Sequence, residues 1–294
     1  MTSNRARGRN VHLHFFAEPD NPIGGLRVNP SVTERDFLYM LTILIVASGP
    51  YRVTLRSTGA VVMQRDDALK PGHYDLRPCS RRGTIRVTDE PCITRILSKT
   101  ITGRDDFFRA RVRARDGKCV ITGTVNSNAS VDIWSGFEAV HIFPVSSEEY
   151  WVQKAYSQWV TNRVNERDTG INSAQNVLLM LSNIHQNFDA FHFSINPDDG
   201  YKITCFDTDV FKMDGRRLDP ICRESNGEDC ARDELLRWHF RQAVLANMRG
   251  VGEPVFGMDF PLGSDMMGEI LSGPQATKWM ESELFSRLNG ISFA

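Results

Sequence analysis

The strongest constraint on the fold is an apolar segment, residues 137–143, that stops at Pro144. Proline cannot donate to a strand ladder and disfavours helix in the residue before it, so the segment predicts a buried strand that ends there. His141 lies near the end of this strand, where the chain turns into a loop and a reactive side chain becomes accessible. The segment therefore predicts a strand that presents one imidazole at its end.

Two later segments add polar side chains in a defined order. Asn176 follows a polar stretch, and its amide can pin a loop or orient an imidazole. His185 and Asp189 are four residues apart in a predicted helix, so they share one face and suit two ligands of one cation. A structural interpretation stays open for each: a lone histidine is usually a hydrogen-bonded structural residue, and a lone His-x-x-x-Asp is more often a polar pair on a helix.

The order of these groups matches the needs of phosphodiester hydrolysis. A base must deprotonate water, and positive charge must lie near the oxygens that become negative in the transition state. An imidazole is a suitable base because its unperturbed pKa of about 6.5 leaves it neutral at cellular pH. One metal ion and one imidazole can supply both, so the strand histidine, the asparagine and the helical His/Asp pair could together meet these needs.

The same order resembles the HNH endonuclease family, and more closely the HNH branch common in fungal proteins. The segments that carry the resemblance are 115–123, 138–144, 170–173, 176–179, 184–189 and 193–195. The resemblance implies a ββα-metal fold in which two strands and a helix hold one divalent cation, Mg²⁺ or Mn²⁺. It implies that His141 is the general base, that Asn176 fixes the motif loop and that His185 is the metal ligand on the helix. Asp189 is at the position where some relatives place a second helix ligand.

One position departs from the family pattern. Many HNH enzymes carry an acid or a histidine directly before the base as a metal ligand, and Val140 stands there in this chain. Residues two apart in a strand share a face, so Glu138 is the candidate that replaces this ligand. Cys119 has no second cysteine at the position where zinc-braced relatives place one, and the sequence has no C-x-x-C pair, so no structural zinc is predicted.

Changes in composition and apolar periodicity along the chain, together with the resemblance, predict an α+β fold with a central ββα-metal (HNH) module, a β-rich N-terminal region and a helical C-terminal region. The predicted boundaries are 1–98, 99–206 and 207–294. In the first region, Ser31 with Glu34 fits a helix capping box, and residues 61–63 fit the return strand of a hairpin. Further predicted elements are helices at 107–115, 150–163, 232–249 and 278–288, a strand at 119–122 and a hairpin over 193–204.

Charge is unevenly distributed along the chain, although the formal net charge is only −1. Residues 77–118 contain twelve basic and five acidic residues, a local net charge of +7. Such a stretch is typical of a face that holds a nucleic-acid backbone without reading its sequence, and Arg109, Arg113 and Arg115 are the predicted substrate-binding residues. A solvated helix face is the alternative, because arginines at 109, 111, 113 and 115 cannot all lie on one side of a helix.

Hydrophobic residues make up 41% of the sequence and charged residues 24%, which is ordinary for a soluble globular protein. The best apolar run, residues 37–47, is about half of the ~20 residues that span a bilayer, so no membrane partner is predicted. The start is polar and basic rather than a secretory signal. The six cysteines are accordingly interpreted as reduced thiols of an intracellular protein, cytoplasmic or nuclear.

Two functions other than a nuclease stay open at this point: an HNH fold repurposed for small-molecule chemistry or binding, and an inactive interaction scaffold. A nuclease predicts that His185 and Asp189 converge on one ion near His141. A repurposed module predicts an apolar or sealed cavity beside His141, and a scaffold predicts a buried His141 satisfied by backbone groups. The oligomeric state and the choice between DNA and RNA are not encoded in these patterns.

Overall fold

A computed structural model of the chain describes residues 4–93, 106–163, 168–223 and 227–252. These residues form mixed helices and strands, which confirms the α+β class. The helix predicted at 278–288 lies outside the described residues. No helix of the described ranges is both long enough and apolar enough to cross a membrane.

The first part of the chain is built around one mixed sheet. Its elements are α1 (Asn4–Arg7), β1 (Val11–Phe15), β2 (Glu18–Leu26), α2 (Glu34–Leu44), β3 (Ile45–Ala47), β4 (Tyr51–Leu55), β5 (Gly72–Pro78) and β6 (Ile85–Val87). Four of the strands pair in the order β2-β1-β5-β4, in which β1 and β5 are parallel and the other pairs are antiparallel. Strands β3 and β6 pair separately.

Helix α2 begins two residues later than the sequence pattern suggested. Its N-cap is Thr33, whose hydroxyl accepts from the Asp36 backbone N–H, while the Asp36 carboxylate accepts from the Thr33 N–H. The prediction of a Ser31/Glu34 capping box was therefore wrong. Two overlapping Ser/Thr-x-x-acid patterns occur here. The backbone N–H of Ser31 donates instead to the carboxylate of Asp214, far along the chain.

Strand alternation gives the sheet one apolar and one polar face. Val11, Leu13, Val53 and Leu76 point into a core that they share with the buried side of α2. The predicted return strand at 61–63 is reduced to one isolated bridge between Thr54 and Val61, on the edge of β4 that does not pair with β5.

The second part of the chain contains the ββα unit. Its elements are α3 (Asp106–Asp116), β7 (Phe137–His141), α4 (Glu148–Gln153), β8 (Val177–Leu181), α5 (Ser182–Asp189), β9 (Phe193–Asn196) and β10 (Lys202–Cys205). Strands β7 and β8 are antiparallel, α5 follows β8 directly, and β9 and β10 form the predicted hairpin.

Two local predictions in this part were wrong. Residues 119–122 form a turn rather than a strand, closed by a bond from the Gly123 N–H to the Cys119 carbonyl. The second strand of the unit is β8. The helix predicted at 150–163 is shorter: α4 ends at Gln153, and a 3₁₀ turn, Tyr156–Trp159, follows after Ala155 adopts a left-handed φ of 54°.

Helix α6 (Asp233–Met248) joins the two parts. Its first half packs into the core of the ββα region through Leu235, Leu236 and Trp238. Its second half packs into the core of the N-terminal sheet through Phe240, residues 243–246 and Met248. One helix therefore supplies side chains to both cores. The domain boundary at residue 207 remains a prediction from the sequence.

Candidate active site

The pairing of β7 and β8 places the predicted site residues on two faces of one strand pair. Glu138 lies opposite Met180, and His141 lies opposite Val177. Val140 belongs to the core that also contains Ile184 and Phe188 of α5. Alternation therefore directs Glu138 and Val140 towards α5, and it directs Ala139 and His141 towards α3.

His141 lies at the end of β7 with only 8% of its surface exposed. Its Nε2 is 3.1 Å from the side-chain Oδ1 of Asn172, and its ring centroid is 5.2 Å from that of Phe108 on α3. An amide oxygen only accepts hydrogen bonds, so this contact places the imidazole proton on Nε2. The lone pair of the neutral ring is then on Nδ1, which is the state that a general base requires.

Asn176 joins two segments of backbone beside this histidine. It is fully buried; its Oδ1 accepts from the Phe143 N–H at 2.8 Å. Its Nδ2 donates to the carbonyls of Phe143 at 3.1 Å and Ile171 at 2.8 Å. These bonds clamp the loop after β7 to the loop that carries Asn172. Asn176 is thus placed to hold the loop, while Asn172 contacts the imidazole itself.

Glu138, His185 and Asp189 form a second cluster on the α5 face. The Nε2 of His185 lies 2.9 Å from Oδ2 of Asp189, and its Nδ1 bonds the Glu138 carboxylate. Asp189 is nearly buried, with 3% of its side chain exposed, whereas Glu138 is half exposed. Two carboxylates thus hold opposite nitrogens of a single imidazole.

The charges of this cluster support one another. Burial opposes the charged form of His185, but the charge and hydrogen bond of Asp189, followed by those of Glu138, outweigh it and raise the pKa of His185 to about 9. The hydrogen bond from His185 in turn lowers the pKa of Glu138 below its usual value. The cluster is therefore an imidazolium between two carboxylates near neutral pH.

A divalent cation fits the donor types of this cluster, one imidazole nitrogen and carboxylate oxygens. In the described ranges, no three His, Cys, Asp or Glu side chains already converge as a metal site. The reason is visible in the cluster, where the two carboxylates approach opposite nitrogens of His185. Cation binding there requires His185 to exchange its proton and one of these carboxylate contacts for the ion.

The three predicted substrate-binding arginines have different environments. The side chain of Arg115 is 6% exposed, and its N–H groups donate to the Asp116 carboxylate and to the carbonyls of Ala174, Val177 and Asp229. A guanidinium has five N–H groups, and these five bonds use them all. Arg115 therefore ties α3 to β8 and does not fit the predicted role in holding substrate.

Arg113 and Arg109 lie one helical turn apart on another face of α3. The guanidinium carbon of Arg113 is 5.1 Å from the ring centroid of Trp134, and both arginines are half-buried. Arg111 pairs instead with Asp229 at 2.5 Å. The arginines of α3 thus divide between a structural face and a face beside Trp134, which matches the expectation that they cannot share one side.

Sequence reasoning missed Asn172 as the partner of His141. The sequence did contain a signal, because Asn172 lies in the segment 170–173 that belongs to the resemblance. Two asparagines four residues apart were equally able to meet the histidine. The local sequence does not distinguish them, since the choice depends on which amide the folded loop buries.

Comparison with protein families gives two matches. Residues 119–196, roughly a quarter of the chain, match the model of a family described as HNH endonuclease. Residues 8–81 match a family described as a domain of unknown function, DUF8573. Comparisons with curated proteins and with solved structures returned no match. The matched segment contains β7, β8, α5, His141 and the Glu138–His185–Asp189 cluster, so residues 119–196 of this chain belong to the HNH endonuclease family.

Proposed function

We propose that this protein is a metal-dependent HNH-type endonuclease that hydrolyses phosphodiester bonds of nucleic acid without strong sequence preference. The observation that carries the proposal is the orientation of His141 by Asn172 in a module of the HNH endonuclease family. The contact leaves Nδ1 of His141 as the basic nitrogen. The resemblance to the branch common in fungal proteins, and an intracellular location, remain parts of this proposal.

The proposed catalytic roles belong to side chains on the two faces of β7. His141 accepts a proton from water at Nδ1, Asn172 holds the ring, and Asn176 holds the loop on which Asn172 lies. His185, Asp189 and Glu138 would hold Mg²⁺ or Mn²⁺, and such an ion supplies positive charge for the phosphate and leaving oxygens. Arg109 and Arg113 on α3 remain the proposed contacts to the nucleic-acid backbone.

A repurposed, non-hydrolytic module is the second candidate, and one residue favours it. Val140 occupies the position where many relatives carry a metal ligand, and its side chain is 1% exposed within the core behind α5. A buried valine cannot bind a cation. The cluster would then have fewer protein ligands than those relatives.

One set of assays separates the two candidates. Nicking of plasmid DNA and cleavage of labelled RNA are measured with Mg²⁺ or Mn²⁺ for the native chain, His141→Ala and the control His192→Ala. His192 is a half-buried histidine of the same region whose Nδ1 contacts Asn187. We expect the rate to fall about 10²–10⁴-fold in His141→Ala and to change little in His192→Ala.

Metal binding is measured in parallel by calorimetry with Mn²⁺. We expect His141→Ala to keep the ion and the double variant His185→Ala/Asp189→Ala to lose it. Absence of both cleavage and Mn²⁺ binding in the native chain would overturn the nuclease proposal and favour the non-hydrolytic module.

A further inference from the structure

A cleft with basic side chains lies on the N-terminal sheet, outside the ββα unit. A cleft of about 580 Å³ opens at the end of β1, β4 and β5. Its lining includes Phe16, Glu18, Arg52, Arg77 and Arg81. The cleft therefore has three guanidinium groups and a single carboxylate along its described walls.

The position of Arg52 and Arg77 is electrostatically unfavourable by itself. They are direct cross-strand partners on β4 and β5, and both side chains are exposed on the face opposite the apolar core. Side chains at such positions have Cβ atoms about 4.5–5.5 Å apart, and like charges placed directly opposite destabilise a sheet. In the described part of the chain, neither arginine forms an ion pair, unlike Arg56, which binds Asp75 on the same face. An anion between the two guanidinium groups removes this repulsion.

An exposed aromatic ring lies beside these charges. Phe16 is 52% exposed, and the guanidinium carbon of Arg77 lies 4.5 Å from its ring centroid. A large exposed apolar ring carries a solvation cost that binding relieves. Aromatic rings beside a basic groove stack on the bases of single strands, which are accessible there and shielded inside a duplex.

We propose that this cleft, the sheet cleft lined by Phe16, Arg52, Arg77 and Arg81, is a binding site for single-stranded nucleic acid. Arg52 and Arg77 hold a backbone phosphate between them, and Phe16 stacks on a base. Arg81 extends the positive charge along the strand. The site lies in the segment that matches the domain of unknown function, and it does not require the ββα unit to be catalytic.

Binding is measured by fluorescence anisotropy with a labelled single-stranded oligonucleotide, in EDTA so that no hydrolysis occurs. We expect Arg52→Ala to lower the slope of log affinity against log salt by about 0.7, the loss of one phosphate contact. We expect Phe16→Ala to weaken binding about ten-fold, by removal of one stacked base. The control is Arg35→Ala, an arginine 54% exposed on α2 that pairs with Asp66.

Folding of the variants is not a confounding factor for Arg52→Ala, because removing one of two opposed like charges does not destabilise the sheet. A second readout uses the native chain. Cys79 is exposed and lines the cleft. We expect the oligonucleotide to slow its alkylation by a maleimide, with Cys79→Ser identifying the reacting thiol, and inorganic phosphate at equal concentration to protect it less.

The outcomes distinguish this inference from the proposed nuclease function. Unchanged affinity and salt slope in Arg52→Ala, unchanged alkylation of Cys79, or equal protection by inorganic phosphate would overturn the sheet cleft as a nucleic-acid site. Duplex bound as tightly as the single strand would also overturn it. Binding that depends on Arg52 supports the sheet cleft even where His141→Ala cleaves as the native chain does.

Discussion

Removal of the Asn176 side chain tests the loop clamp directly. Asn176→Ala deletes three hydrogen bonds: one from the Phe143 N–H, and two to the carbonyls of Phe143 and Ile171. Each bond contributes about 1 kcal/mol net, and a buried N–H left without a partner costs about 1–3 kcal/mol more. We therefore expect the free energy of unfolding to fall by about 4–6 kcal/mol, a large part of the stability of an ordinary domain.

Urea unfolding followed by circular dichroism measures this loss, provided that the denaturant dependence keeps the same slope. The matched control is Asn172→Ala, because Asn172 is exposed and its side chain contacts His141. We expect Asn172→Ala to change stability by less than about 1 kcal/mol. Under the proposed function, it should still slow hydrolysis, since the proton is no longer held on Nε2 of His141.

Two results would refute this reasoning. A loss below about 1 kcal/mol in Asn176→Ala would show that the clamp does not hold the loop. Equal destabilisation by Asn172→Ala would show that burial does not separate the two asparagines. Asn176→Asp is a sharper version, because it replaces two N–H donors with a carboxylate that faces carbonyls, and we expect it to be at least as damaging as alanine.

In metal-free buffer, the charged His185 imidazole stabilises the folded chain, because folding raises its pKa from about 6.5 to about 9. This contribution is complete below about pH 6.5 and is lost as the pH rises through about 9. Urea unfolding from about pH 6 to about pH 10 should show a decline of about 3 kcal/mol that is absent in His185→Gln. Arg115→Ala should lower the free energy of unfolding by about 3–5 kcal/mol, because it leaves a buried carboxylate and three carbonyls without their donor. Arg113→Ala should cost less than about 1 kcal/mol, so equal losses at the two arginines would contradict the structural assignment of Arg115. Lys202→Met should cost about 2 kcal/mol because Nζ of Lys202 lies 2.7 Å from a carboxylate oxygen of Asp36, and an unchanged urea midpoint would disprove that contribution.

Local patterns in the sequence were sufficient for several parts of the fold. The hairpin of β9 and β10 follows from two apolar runs around a turn-forming segment, and α6 follows from its apolar spacing. The His185/Asp189 contact follows from helical spacing alone, since residues four apart meet on one face. The prediction that Glu138 faces the same side as Val140 likewise needed only strand alternation.

Patterns that fit two residues equally well required the tertiary structure. The capping box of α2 uses Thr33 and Asp36 because Asp214 takes the backbone N–H of Ser31, and that contact joins residues far apart in the chain. The turn at 119–122 has the composition of a strand. It forms no strand because its backbone closes into a turn, in which the Gly123 N–H donates to the Cys119 carbonyl.

The sequence by itself determined the identity and order of the reactive groups: a strand histidine, a later asparagine, and a helical histidine with its acid. Only the tertiary structure decided which asparagine holds His141 and that both nitrogens of His185 are held by carboxylates. It also decided that the Arg115 side chain is buried among its hydrogen-bond partners, and that Arg52 and Arg77 are direct cross-strand partners. The physical reason is that residue spacing sets directions along a helix or strand, whereas burial and pairing depend on segments that meet only after folding.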